Sequence, residues 1–150
     1  MTKIYLQTHK VELYGLSSTE GTEGIGGIFT SKSWIEKEEN WGSVFLITTG
    51  TYKQYREARF KQDLPNIMPS SKRIYFLWEK FEIEQVKRCS DGQFFATGSK
   101  RYRSFTPLLL LNDTLGFEEF RKHYMTSGLI NLARNRPPYL QTLLELSGEA

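Results

Sequence analysis

A single cysteine, Cys89, among 150 residues excludes an intrachain disulfide and a zinc site built from thiolates, both of which need more sulfur. Apolar runs such as Leu108 to Leu111 stop far short of the roughly 20 residues that cross a bilayer. The opening stretch, Met1-Thr2-Lys3-Ile4-Tyr5-Leu6-Gln7, turns polar too soon for a secretory signal, so a cytoplasmic location with no membrane partner is expected. Phosphate-cradling motifs are missing too. Gly24-Ile25-Gly26-Gly27 does not continue into GxGxxG, and no GxxxxGK[ST] occurs. Gly21-Thr22-Glu23-Gly24 places a carboxylate where a four-residue backbone clamp would meet phosphate. No cofactor is expected from these features.

What remains is an ordinary globular composition with a strand-leaning aromatic share: 39% apolar, 14% aromatic and 25% charged residues. The length suits one domain with one core. Net charge is +3 and unevenly spread. Residues 1–50 carry 4 Lys against 6 Glu, residues 51–103 carry 12 Lys/Arg against 6 acids, and residues 104–150 carry 4 against 5. A basic middle between mildly acidic ends attracts polyanions by long-range steering.

Periodicity changes along the chain. Ile4, Leu6, Val11 and Leu13 alternate as in short half-buried strands, and the glycine-rich stretch 17–27 reads as a surface loop. Ser43 to Thr49 is β-branched, apolar and closed by Gly50, which predicts a strand at the sheet centre. Tyr52 to Gln62 favours a short helix, and Arg73 to Trp78 a buried strand. Lys80 to Arg88 and Gln93 to Thr97, joined at Ser90-Asp91-Gly92, read as a hairpin. Pro107 assigns the following strand, Tyr102 to Leu111, to an edge or a bulge. Phe117, Phe120 and Tyr124 then repeat at helical spacing, with Asp113 or Thr114 as cap and Gly128 as stop, and Pro137-Pro138 opens a last helix striped by Tyr139, Leu140, Leu143 and Leu144. The expected fold is α+β, a single domain over 1–150. It is sheet-rich to residue 111 and helical over 113–147, with about five to seven mostly antiparallel strands, a small curled barrel being one form of it.

Two stretches interleave cations with rings: Tyr52, Lys53, Tyr55, Arg56, Arg59, Phe60 and Lys61, then Lys100, Arg101, Tyr102, Arg103 and Phe105. Rings stack on bases and cations hold phosphates, so the leading expectation is a non-enzymatic nucleic-acid-binding protein acting on single-stranded or structured RNA. Its expected contacts are Tyr52, Tyr55, Arg56, Arg59, Lys61, Lys100, Arg101, Tyr102 and Arg103. The plainer account is sheet packing with a charged exterior, since Arg101 and Tyr102 fall on opposite faces of a strand.

Two other classes compete. Asp63 with Gln85 and Lys87, the last two on one strand face, echoes the acid and QxK arrangement of metal-dependent restriction-like nucleases, and magnesium belongs to that alternative alone. Gln85 stands there in place of the usual acid. The third class is an interaction module or homodimer using Phe117, Phe120, Tyr124, Leu129, Ile130, Leu140 and Leu143, unless these cover their own sheet.

Overall fold

A computed structural model of the chain describes residues 3–10, 25–57, 73–125, 128–134 and 136–148. The fold is α+β in three layers. Strands β1 (Lys3–Lys10), β3 (Gly42–Gly50), β4 (Ile74–Glu82), β7 (Arg103–Leu110) and β8 (Ile130–Asn131) form a five-stranded sheet in the order β7-β4-β3-β1-β8. Strands β2 (Gly26–Thr30), β5 (Gln85–Arg88) and β6 (Phe94–Gly98) form a second sheet in the order β2-β6-β5. Helices α1 (Tyr52–Glu57), α2 (Phe117–Tyr124) and α3 (Tyr139–Leu146) complete the elements, with two short 3-10 turns between β2 and β3. Among the described residues the strands form two open sheets rather than a curled barrel.

The large sheet is buried on both faces, which is why β3 reads as an unbroken apolar run instead of an alternating one. One face, carrying Tyr5, Val44, Leu46, Phe76, Trp78 and Phe81, packs on Ile28, Phe94 and Ala96 of the small sheet and on Tyr55 of α1. The other, carrying Ile4, Leu6, Phe45, Ile47, Tyr75 and Leu77, is covered by Phe117 and Phe120 of α2 and by Tyr139, Leu140 and Leu143 of α3. β3 lies at the sheet centre, and its pairing with β1 is parallel while every other pair is antiparallel.

The shortest link between the two sheets is the one from β4 to β5. At Ile83 and Glu84 the chain leaves β4 for β5, with Ile83 N bonding Gly42 O at 2.9 Å and Glu84 N bonding Thr97 O at 2.8 Å. The corner is too tight for side chains at two opposed glycines, Gly26 and Gly98. Both sit in strands, and the expected surface loop gives way at residue 26 because the close approach of the Phe81 side chain, not turn formation, is what demands glycine there. The hairpin β5–β6 turns at Asp91-Gly92, where Gly92 takes φ +82°.

Pro107 lies in β7, an edge strand of the large sheet, where the ladder to β4 is interrupted between Ser104 and Leu109, so its missing N–H costs no pairing. Helix α2 starts later than its expected caps. Gly116, at φ +85°, precedes it with no side-chain cap, and Thr114 instead bonds Leu111 O and the Tyr139 hydroxyl, each at 2.5 Å.

Candidate nucleic-acid interface

Helix α1 places Tyr52 and Arg56 outward, with the Arg56 guanidinium 5.8 Å above the Tyr52 ring. Lys53 is exposed beside them. Tyr55 points the other way: it is fully buried, edge-on to Phe76 at 5.0 Å, its hydroxyl 3.3 Å from Thr48 Oγ1. It is therefore a core side chain rather than a stacking surface. Replacing it by Ala should cost about 3–5 kcal/mol of stability, and by Phe about 1, as read from urea unfolding. Arg59, Phe60, Lys61 and Asp63 lie outside the described residues.

The second cluster is largely occupied by the protein itself. Lys100 Nζ lies 3.9 Å and Arg101 Nη1 3.5 Å from the Glu82 carboxylate. Glu84 Oε1 accepts the backbone N–H groups of Ser99 and Lys100, each at 2.6 Å, which holds its carboxyl below the usual range. Tyr102 is half-buried and donates its hydroxyl to Glu79; burial, then that hydrogen bond, raises the phenol well above its usual pKa. Arg103 covers the Phe105 ring at 5.0 Å and donates to Ser147 O at 2.8 Å, tying β7 to the end of α3. Lys80, in the same neighbourhood, is buried, and desolvation lowers its pKa. Three carboxylates thus offset four cations here, which leaves a weak field for a polyanion.

The two clusters also stand apart. α1 follows Gly50, which pairs with Ile74, whereas Arg103 pairs with Lys80 six residues along β4. At about 3.3 Å per residue the separation is roughly 20 Å. Among the described residues, α1 and the 100–103 turn form no common platform.

For the nuclease alternative, Gln85 and Lys87 are both exposed on β5, opposite Thr97 and Phe95. Gln85 escapes the burial of Phe81 and Ile83 because the corner at Ile83 ends the period-two pattern that would have put them on one face. Among the described residues no three His, Cys, Asp or Glu side chains gather as ligands. Of the apolar residues on the C-terminal elements, Phe117, Phe120, Leu129, Leu140 and Leu143 are buried within the domain, Phe120 and Tyr124 also lining a groove of about 520 Å³ rimmed by the exposed Leu115.

A different site emerges at the C-terminal end of β1. A cleft of about 350 Å³ opens there between Gln7 to Lys10, Phe29 to Lys32, Gln93 and Gly128. Lys10 and Lys32 are exposed, and among the described residues no carboxylate lines the cleft. Phe29, 52% exposed, lies stacked on Phe95 with ring centroids 4.5 Å apart, leaving its outer face open. Lys10 pairs with Thr49 on β3, just before Gly50 and α1, so the exposed Tyr52 and Arg56 share this end of the sheet.

The floor is polar. Gln7, 7% exposed, donates from Nε2 to Phe29 O at 3.2 Å and meets His9 Nε2 at 2.9 Å. A carbonyl can only accept, which fixes the amide nitrogen on that side and makes His9 Nε2 the acceptor of the second N–H. His9 is accordingly neutral, edge-on to Trp78 at 6.0 Å, and burial lowers its pKa to about 4. Gln7 Oε1 finds no donor among the described residues, a buried acceptor that costs about 1–3 kcal/mol while unmet.

His9 has a measurable consequence. In the unfolded chain its pKa returns to the ordinary 6.5, so protonation favours unfolding: stability is whole above that pH, falls as pH drops toward 4, and levels off below. Unfolding midpoints should show this slope, and His9→Asn should flatten it.

The cleft was hidden in the sequence because its residues come from four separate segments. Only Phe29 gave a local sign, as an apolar side chain on the outward face of a strand whose Ile28 points in. Comparison with protein-family models, curated proteins and solved structures yields no match, so the geometry carries the functional reading.

Proposed function

We propose that the protein binds single-stranded nucleic acid, RNA foremost, without catalysing a reaction on it, and that the β1-end cleft is the contact site. Supporting this is one observation: an exposed ring, Phe29, beside a cleft flanked by Lys10 and Lys32 in which no carboxylate stands among the described lining residues. A stacking face next to cations is what a flexible polyanionic strand needs, each stacked base contributing about 1–3 kcal/mol. Tyr52 and Arg56, at the same end of the sheet, extend the path, whereas Lys100 to Arg103 serve mainly to hold the β6–β7 turn and the end of α3.

A labelled RNA strand of about ten nucleotides, titrated by fluorescence anisotropy, tests the proposal. Affinity should fall linearly on a log–log plot against salt, and Phe29→Ala should weaken it about tenfold or more. Affinity indifferent to both salt and Phe29 would refute it.

A further inference from the structure

We infer that the cleft takes one unpaired base edge-first, an N–H of its pairing edge meeting Gln7 Oε1 while the sugar–phosphate stays outside at Lys10 and Lys32. This deepens, and rests on, the assignment of the cleft as the strand site. Gln7 lines the cleft and has both amide hydrogens committed, to Phe29 O and to His9 Nε2, so its one remaining capacity is to accept. An anion entering first would set oxygen against oxygen. A base edge supplies the missing donor. The lysines are on the rim and exposed, where a phosphate can be held without desolvating it fully. At about 350 Å³ the cleft lies near the small end of ligand sites, room for one ring system rather than a stack of them. Phe29, with its outer face open at the mouth, offers a ring for the next base. Because pairing edges are engaged and stacked inside a duplex, a base can enter only from an unpaired strand.

The substitution that isolates this contact is made in the ligand, so it needs no variant protein. Two strands are compared on wild-type protein at one salt concentration: an adenosine 10-mer, and the same strand carrying purine riboside, which lacks the amino group and any N–H on its pairing edge. The adenosine strand should bind about tenfold more tightly, the worth of one hydrogen bond. Gln7→Met, which fills the volume without an acceptor, should close the gap. Annealing the adenosine strand to its complement should also weaken binding at least about tenfold. Equal affinity for the two single strands, or for strand and duplex, overturns edge-first entry while leaving phosphate and ring contacts standing. If no strand binds, or if Lys10 and Lys32 can be removed without effect, the cleft assignment and this inference fall together.

Discussion

Gly98→Ala should destabilise the protein by at least about 3 kcal/mol, among the larger effects open to a single methyl group. A Cβ at Gly98 would stand 1.6 Å from the Glu82 carbonyl oxygen and 2.8 Å from its carbon. Neither atom can step aside, because Glu82 is the last residue of β4, its N–H bonded to Lys100 O, and the chain immediately crosses to the small sheet through Ile83 and Glu84. Opposite, Gly26 meets the Phe81 side chain, with Cδ1 2.3 Å from its would-be Cβ. The corner is therefore closed from both sides, and relief must come from separating the sheets. In urea the midpoint should fall by about 1 M or more, given the usual slope for a small domain. Gly92→Ala is the control: nothing lies within 4 Å of its Cβ, and its cost is only the left-handed backbone at φ +82°, about 1 kcal/mol. Equal losses for the two would mean that the corner is not closed as described.

The second large effect concerns binding. Removing Lys10 and Lys32 together should lower affinity for a single strand about 10- to 100-fold at low salt. It should also reduce the dependence of log affinity on log salt by about 1.4, two phosphate contacts at about 0.7 each. Both lysines are exposed and neither has a resolved ion pair among the described residues, so stability should change by no more than about 0.5 kcal/mol. The matching double variant Lys100→Ala, Arg101→Ala should leave the salt slope nearly unchanged, since those cations already face Glu82. A reversal of these two results would return the site to the β6–β7 turn.

Much of the fold was written locally. The β-branched run at 43–49 placed the central strand, Asp91-Gly92 placed a hairpin turn, and Pro107 marked an edge, because each depends on the chemistry of a few neighbouring residues. The two C-terminal helices showed in their 3.6-residue period. The division into two sheets did not show, since a segment that bends from one sheet into another keeps its alternation up to the bend, and Ile83 looks like any inward strand residue. Gly26 misled for a related reason: glycine signals a turn in sequence, but here it makes room for the side chain of Phe81, 55 residues away.

The candidate site was legible in its chemistry and not in its place. Cations and rings could be counted, yet their partners could not. Glu79 and Glu82 reach the 100–102 turn from β4 and Glu84 from the corner after it, and Tyr55 turns inward because helix α1 must cover Phe76. The lysines at the cleft, Lys10 and Lys32, stand in a region whose net charge is negative and which drew no attention on that account.

Backbone amide chemical shifts of the protein, followed while a short RNA strand is added, most directly locate the contact. The largest changes are predicted at Gln7 to Lys10, Phe29 to Lys32 and Gln93, with smaller ones at Tyr52 to Arg56. Changes centred on Lys100 to Arg103, with the end of β1 silent, would contradict the account.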